Sequence, residues 1–494
     1  MRNDELTWRR GVRVSAPGKV LLTGAYLILD ERHAGLVVGT SARFHATLTT
    51  RKAATTTNTT HGFSVCVESP QFAQRIEARV FRKENATQYT VELSEGSDRN
   101  AYVEETLLSA VNGIAGMDHE TFERACQELH GQHEELHIRL EADNAFYSQA
   151  KRLITAGKSL SRRHLEELSE FLPPLMEDLP DGRKTIAKTG LGSSATLVTS
   201  LVGALAAFFL GETSRFSSHS DAVDLIHNLA QLSHCFVQRK IGSGFDVAAA
   251  CYGSQRYSRF SPLVLDRFTS TDHLTPDTIA RCVLNPTTWR VAERTKPFVL
   301  PANFHLLMGD VSTGSTTVSM VRQVLQWQKT KPEEAQRIIQ TLASQNEAVA
   351  EAVARLGSIS TSEMAQACKQ LSTVAADQWS DVNTTIGPML YDIRTAYQLA
   401  RRSFREMGEL AGVPIEPSEQ TQLIDATLAV PGVLIAGVPG AGGYDAVFVL
   451  VVDASALVRV EALWLQWTQQ HPDNILCPLL CDLSVASGLT IEVV

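Results

Sequence analysis

Short apolar runs separated by turn residues open the chain: Val12-Arg13-Val14 and Val20-Leu21-Leu22 flank Pro17-Gly18, then Leu36-Val37-Val38 and Phe44-His45-Ala46-Thr47-Leu48 follow. Such runs, bounded by Pro and Gly, predict a β-rich start with a turn at Pro17-Gly18. The threonine-rich stretch 49–60 reads as a solvated loop or hairpin extension. The period then changes. Glu104 to Leu108, with Val111, has helical spacing, His137 to Ala142 alternates like a half-buried strand, and Ser159 to Leu168 is charged and helical.

Pro173-Pro174 and Leu179-Pro180-Asp181-Gly182 break the chain before a short strand at Lys184 to Lys188. Beyond Gly192 a helical pattern runs to Phe209, and Ala222 to Phe236 supplies another. The apolar stretch Leu197 to Leu210 is interrupted by Thr199 and Ser200 and falls short of the roughly 20 residues a bilayer span needs, so it reads as a buried helix. The prolines from Pro286 to Pro301 precede a new strand, Phe304 to Met308, and divide the chain into an N-terminal part, 1–290, and a C-terminal part, 291–494. Pro332 starts a helix with Ile338, Leu342, Val349, Val353 and Leu356 on one face, ended by Gly357. Gly432 to Ala436 and Ala446 to Val452 read as strands joined by a glycine loop. The expected class is α+β, helices with antiparallel sheet.

Composition narrows the function. A chain of 494 residues with 44% hydrophobic and 20% charged side chains has ample material for a core. Its net charge of −9 argues against nucleic acid or an anionic membrane as partner, although a local anion site is compatible with it. Met1 to Arg10 carries five charged side chains and no apolar run, and the final Ile491-Glu492-Val493-Val494 is not a Ser-Lys-Leu address, so a cytoplasmic location is expected. The eight cysteines have no metal-ligand spacing, and reduced thiols are the default.

Four clusters carry candidate chemistry. Lys188-Thr189-Gly190-Leu191-Gly192-Ser193-Ser194-Ala195 lies where a strand ends and an apolar helix begins. Helix N-terminal amides are unpaired and partly positive, so a loop lacking side-chain bulk there can enclose phosphate oxygens. Ser193 and Ser194 can cap the helix or offer a hydroxyl to Mg²⁺. Two better-known motifs fail here. The dinucleotide fingerprint needs an acid after the next strand, yet Glu212 follows a helix, and the P-loop reading of Gly157-Lys158-Ser159 needs a glycine where Arg152 stands. The second cluster, Pro17-Gly18-Lys19 running to Gly24-Ala25-Tyr26, sets a lysine beside a rigid turn, where it can place positive charge on a transferring phosphoryl group. In the third, Gly437 to Ala446, glycine is dense enough to imply close approach by a ligand or another loop. The fourth is Gly242-Ser243-Gly244-Phe245-Asp246, whose carboxylate either caps a helix or orients or deprotonates an acceptor.

Together, and in this order, these clusters resemble the GHMP kinases, the galactokinase, homoserine kinase, mevalonate kinase and phosphomevalonate kinase superfamily. The wording is most similar to the phosphomevalonate kinase subgroup, to which Asp143-Asn144-Ala145-Phe146-Tyr147-Ser148-Gln149 and Gly309-Asp310-Val311-Ser312-Thr313-Gly314-Ser315 also look alike. The resemblance implies an N-terminal part like ribosomal protein S5 domain 2, a ferredoxin-like C-terminal part, and a site in the cleft between them. It implies transfer of the ATP γ-phosphoryl group to 5-phosphomevalonate. On it, Lys188 and Gly190 to Ala195, Leu191 included, hold the ATP phosphates, Ser194 helps position Mg²⁺, and Lys19 and Asp246 are catalytic. Tyr26, Ser243, Ser312, Ser315 and the loop residues Gly440, Ala441, Gly442 and Gly443 are the implied substrate contacts.

One departure concerns the metal. Mevalonate kinases have a glutamate eleven residues before the catalytic aspartate, where this chain has Cys235, a poor Mg²⁺ ligand; Gln238 nearby can supply an oxygen instead. Mevalonate kinase and diphosphomevalonate decarboxylase are the alternatives within the superfamily. Outside enzymes the alternatives are a ligand-sensing relative without turnover and, more distantly, an anion-binding protein with no nucleotide role.

Overall fold

The computed structural model describes residues 11–53, 62–178, 182, 184–216, 218–311, 317–383, 385–472, 474–483 and 488–494. Among them, one large sheet is built from β1 (Gly11–Thr23), β2 (Ala34–Lys52), β3 (Gly62–Ser69), β4 (Gln74–Arg82), β5 (Tyr89–Leu93) and β6 (Glu134–Ala142). A hairpin of β7 (Met176–Asp178) and β8 (Lys184–Ile186) stands apart. The sheet is completed by β9 (Gln255–Ser258), β10 (Thr295–Pro297) and, from the far end of the chain, a strand at Thr490–Val493 that pairs with β1. Its pairings are antiparallel except for β3 with β6. A second, antiparallel sheet has the order β12-β13-β11-β14, from β11 (His305–Val311), β12 (Val433–Gly437), β13 (Ala446–Val451) and β14 (Leu476–Pro478).

The division expected at 290/291 does not coincide with a change of sheet. Strand β10 lies beyond it yet extends the first sheet, and the strand at Thr490–Val493 returns to that sheet. Pairing partners distant in sequence set this arrangement, and local pattern carries no trace of them.

Two expectations at the start of the chain give way to a single device. Pro17-Gly18 is not a turn, and the runs at 36–38 and 44–48 are not separate strands, because β1 and β2 run through as 13 and 19 residues. The register jumps from Pro17↔Arg43 to Lys19↔Gly39, so β2 bulges opposite Gly18. A Cβ on Gly18 would lie 2.8 Å from Thr40 Oγ1, which is why the strand is bare at this point. The bulge re-aims Lys19. Of the charged run at Ser159 to Leu168, only Arg162–Glu166 is helical, and residues 49–52 of the threonine-rich stretch belong to β2, while 54–61 lie outside the described residues.

Helices pack on the large sheet. The central one is α2 (Ser193–Leu210), which follows α1 (Ala101–Met117) and precedes α3 (His219–Gln238) and α4 (Phe245–Tyr252). Apolar on every side, α2 contacts α1, α3, β1 and β2. It is long and apolar enough to cross a membrane by length and composition, yet 89% of it is buried inside the protein. Beyond β11 come α5 (Thr317–Thr330), α6 (Pro332–Leu356) and α7 (Ile386–Ala411). Met320, Val324 and Trp327 of α5 share a core with Tyr26 and Leu27, the residues that follow β1, and this fixes α5 against the first sheet.

Asp310, at the end of β11, is 5% exposed and hydrogen-bonded to Ser148 of the N-terminal half. Burial pushes its carboxyl up to about 7, with Glu177 and Asp445 adding to the rise. The folded state therefore holds this proton more tightly than the unfolded chain, whose carboxyl titrates near 4. Its stabilisation is complete below that value and is lost as pH rises through about 7. Asp310→Asn mimics the protonated form. In differential scanning calorimetry its Tm advantage over the wild type should grow from about pH 4 to about pH 7 and then level off, by a few °C in all.

Candidate active site

The helix α2 starts without a side-chain cap. Its N-cap is Gly192, with φ +87°, and Ser193 and Ser194 are the first helical residues rather than caps. The amides of Ser193, Ser194 and Ala195 consequently have no acceptor among the described residues, which leaves a partly positive pocket. Gly190 also has a positive φ, +78°, and open space where a Cβ would stand.

Lys19 comes to this loop from β1. Its backbone N–H donates to the Leu191 carbonyl at 3.0 Å, and its Nζ donates to the Gly190 carbonyl at 2.7 Å. The stem passes over Gly192, where a Cβ would lie 3.2 Å from Lys19 Cε. The ammonium sits 5.3 Å from the centre of the Phe245 ring. Burial lowers its pKa, and the nearby Asp246 carboxylate opposes that shift.

Asp246 occupies the first turn of α4, after Gly244 at φ +79°. A Cβ on Gly244 would collide with Phe260, Gln231 and the Tyr257 hydroxyl, so the bend requires glycine. Tyr257 donates to the Ser243 carbonyl at 2.8 Å and Gln231 to the Gly244 carbonyl at 2.7 Å. Both bonds hold the loop that presents Asp246.

On the other side, the Tyr26 hydroxyl donates to the Ala441 carbonyl at 2.8 Å, and Gly440 N–H reaches the Leu21 carbonyl at 3.4 Å. The glycine loop between β12 and β13 is thereby tied to the end of β1. Lys19, Tyr26, Gly190, Gln238, Ser243, Asp246, Gly440, Ala441 and Gly442 all line one cleft of about 680 Å³.

Other sequence-derived candidates do not line it. Leu191 and Ala195 are core residues, Ser193 is buried with its hydroxyl engaged by Tyr147, and Lys188 is exposed at the loop entrance. Gly443 is buried and donates to the Ile415 carbonyl at 2.8 Å, so it anchors the loop. Ser312 and Ser315 lie outside the described residues.

Several lining residues were not singled out in the sequence: His234, Lys240, Arg322, Lys329 and Asp445. The signal for one was present, since Gln231, His234, Cys235 and Gln238 recur at helical spacing on one face of α3. His234 Nε2 lies 3.3 Å from Ser194 Oγ and 2.8 Å from Gln238 Nε2. Burial lowers the imidazole's pKa, which keeps the ring neutral beside the glycine loop at 190–192. The Cys235 thiol is pushed up to about 11 by burial and stays protonated, as unsuited to Mg²⁺ as its chemistry suggests.

A family model described as GHMP kinases N terminal domain matches residues 175–254, the stretch containing the Gly190–Gly192 loop and Asp246. Over 475 residues the chain is 34% identical to "Phosphomevalonate kinase, peroxisomal" of Arabidopsis thaliana, covering 91% of this chain and 92% of that one. The chain belongs to the phosphomevalonate kinase family. A second family member, from Gibberella zeae, is 33% identical, with 94% of this chain and 93% of the relative covered. The fold is that of a GHMP kinase. A solved phosphomevalonate kinase of Streptococcus pneumoniae, in complex with phosphomevalonate and AMPPNP, superimposes with a TM-score of 0.53 at 15% identity, covering 92% of this chain and 96% of that one.

Proposed function

We propose that this kinase transfers the γ-phosphoryl group of ATP to 5-phosphomevalonate, giving ADP and 5-diphosphomevalonate for isoprenoid synthesis. The reaction takes place in the cleft between a part like ribosomal protein S5 domain 2 and a ferredoxin-like part. The observation that carries the reading is the Lys19 ammonium held 2.7 Å from the Gly190 carbonyl, beside uncapped helix amides. A polyanion bound by those amides meets a fixed cation there.

The ATP phosphates occupy the loop from Lys188 to Ala195, where the amides of the first turn of α2 donate to oxygens. Magnesium asks for few protein ligands and keeps phosphate oxygens and waters around it. Among the described residues no cluster of three or more His, Cys, Asp or Glu stands ready for a metal. The Ser194 hydroxyl, the Asp246 carboxylate and the uncommitted Gln238 oxygen fit this sparse demand, and the ion supplies charge neutralisation between phosphates. Neutral His234 fixes Ser194 and Gln238 on their inner side.

The acceptor is a phosphate monoester, with its second pKa near 6, and is mostly ionised at neutral pH. Deprotonation is therefore a small part of the work, and repulsion between acceptor and donor is the larger one. Lys19 answers it by placing positive charge between them. Asp246 orients the acceptor and opposes the loss of charge that burial favours at Lys19. Ser243, Tyr26 and the loop Gly440 to Gly442 enclose the acceptor, and Gly443 supports that loop from behind.

Incubation with ATP, Mg²⁺ and either mevalonate, 5-phosphomevalonate or 5-diphosphomevalonate tests the reading. ADP should appear with 5-phosphomevalonate alone and CO₂ with none. Binding of 5-phosphomevalonate without ADP release would instead indicate a sensor. A cytoplasmic location belongs to this proposal too, and cell fractionation checks it against the peroxisomal name of the Arabidopsis relative.

A further inference from the structure

One wall of the cleft is unused by this account. Val321, Arg322, Leu325, Gln326 and Lys329 of α5 all line it, while Met320, Val324 and Trp327 on the opposite face of the helix are buried. The helix is thus anchored from behind and presents a stripe in which cationic and apolar side chains alternate. Arg322 and Lys329 are seven residues apart, two helical turns, so their Cα atoms stand on one face about 10 Å apart along the axis. Leu325, between them, is 40% exposed and lines the same cleft.

Charge points the same way. The cleft is lined by four cations, Lys19, Lys240, Arg322 and Lys329, against two carboxylates, Asp246 and Asp445, although the chain as a whole carries −9. Arginines elsewhere are commonly ion-paired, as Arg401 is with Glu416 and Arg256 with Glu347. Arg322 and Lys329 have no acidic partner among the described residues.

We propose that Arg322 and Lys329 bind the carboxylate end of the acceptor and thereby select it among phosphate monoesters, an inference that rests on the kinase reading above. The acceptor is anionic at both ends, a monoester phosphate and a carboxylate joined by a branched five-carbon chain. Its phosphate must meet Lys19 and the donor. The carboxylate is then carried to another wall, and α5 is the wall whose cations, without an acidic partner among the described residues, are set among apolar side chains suited to the aliphatic stem. A guanidinium meets a carboxylate with two parallel hydrogen bonds, and Lys329 adds a second point charge.

The test compares R322Q, K329Q, the double variant and R322K with the wild type. Titration calorimetry measures affinity for 5-phosphomevalonate and for isopentenyl monophosphate, which keeps the phosphate and the methyl-branched stem but lacks the carboxylate and the tertiary hydroxyl. Steady-state ADP release gives KM for each substrate. The double variant should bind 5-phosphomevalonate about 10–100-fold more weakly, the range for losing hydrogen bonds to a charged group. Its KM for ATP and its affinity for isopentenyl monophosphate should stay unchanged, and R322K should recover part of the loss. Unchanged 5-phosphomevalonate affinity overturns the proposal, as does an equal loss for both monophosphates or a raised KM for ATP. Absence of ADP release by the wild type overturns the kinase reading instead, and the calorimetry still judges α5 because it needs no turnover.

Discussion

Lys19→Met lowers kcat by about 10³-fold or more, while the protein stays folded and still binds ATP. Methionine keeps the length and the apolar stem that passes over Gly192, so the packing of that stem survives. What it removes is the ammonium 2.7 Å from Gly190 and the hydrogen bond to that carbonyl. In a buried cleft a fixed charge acts at low dielectric and needs no reorganisation as the phosphoryl group moves, which is why its loss falls on turnover more than on ground-state binding. Coupled ADP-release kinetics check the outcome, with thermal unfolding as the control for folding. A variant with near-normal kcat would mean that Lys19 only braces the Gly190 loop.

Much of this site was legible in the sequence because glycine requirements are local. Gly190, Gly192 and Gly244 have positive φ, and the bare backbone they provide is needed whatever surrounds it. The helix behind the phosphate loop was likewise visible, since an apolar run of that length has few other fates. What local pattern does not encode is which distant segment shares a pocket. Arg322 and Lys329 belong to no motif, and only the packing of α5 against Tyr26 and Leu27 turns their face toward Lys19 and Asp246. His234 was passed over beside Cys235 because only the rotation of α3 decides which of two neighbours reaches Ser194. Pro17-Gly18 misled for a related reason. The pair has the local chemistry of a turn, yet β2 pairs with the strand on both sides of it, and the irregularity becomes a bulge.

Gly442→Ala tests the opposite side of the cleft, where the glycine loop is held by contacts that leave no room for a side chain. Gly442 has φ +79°, and a Cβ there would lie 2.1 Å from the Ile415 carbonyl oxygen. That oxygen cannot easily retreat. It accepts the Gly443 N–H at 2.8 Å, and the next residue, Glu416, is clamped by Arg401 through bonds of 2.7 to 3.0 Å within the core. The added methyl must therefore displace the loop, breaking the Gly443 bond and pulling on the Ala441 carbonyl that receives the Tyr26 hydroxyl. Misplacing a positioning element by about 1 Å is enough to cost on the order of 10²-fold in rate. The expected result is a kcat/KM for 5-phosphomevalonate reduced by roughly that factor, with ATP affinity close to normal because the phosphate loop lies on the other wall. Gly440→Ala is the comparison: its φ is also positive, +60°, but no protein atom lies within 4 Å of a Cβ there, so the αL strain of about 1–2 kcal/mol and a methyl in the cleft remain, without a collision against the backbone. If the two variants lose activity equally, the collision with Ile415 does not govern the loop, and the clamp between Arg401 and Glu416 has no part in shaping the cleft.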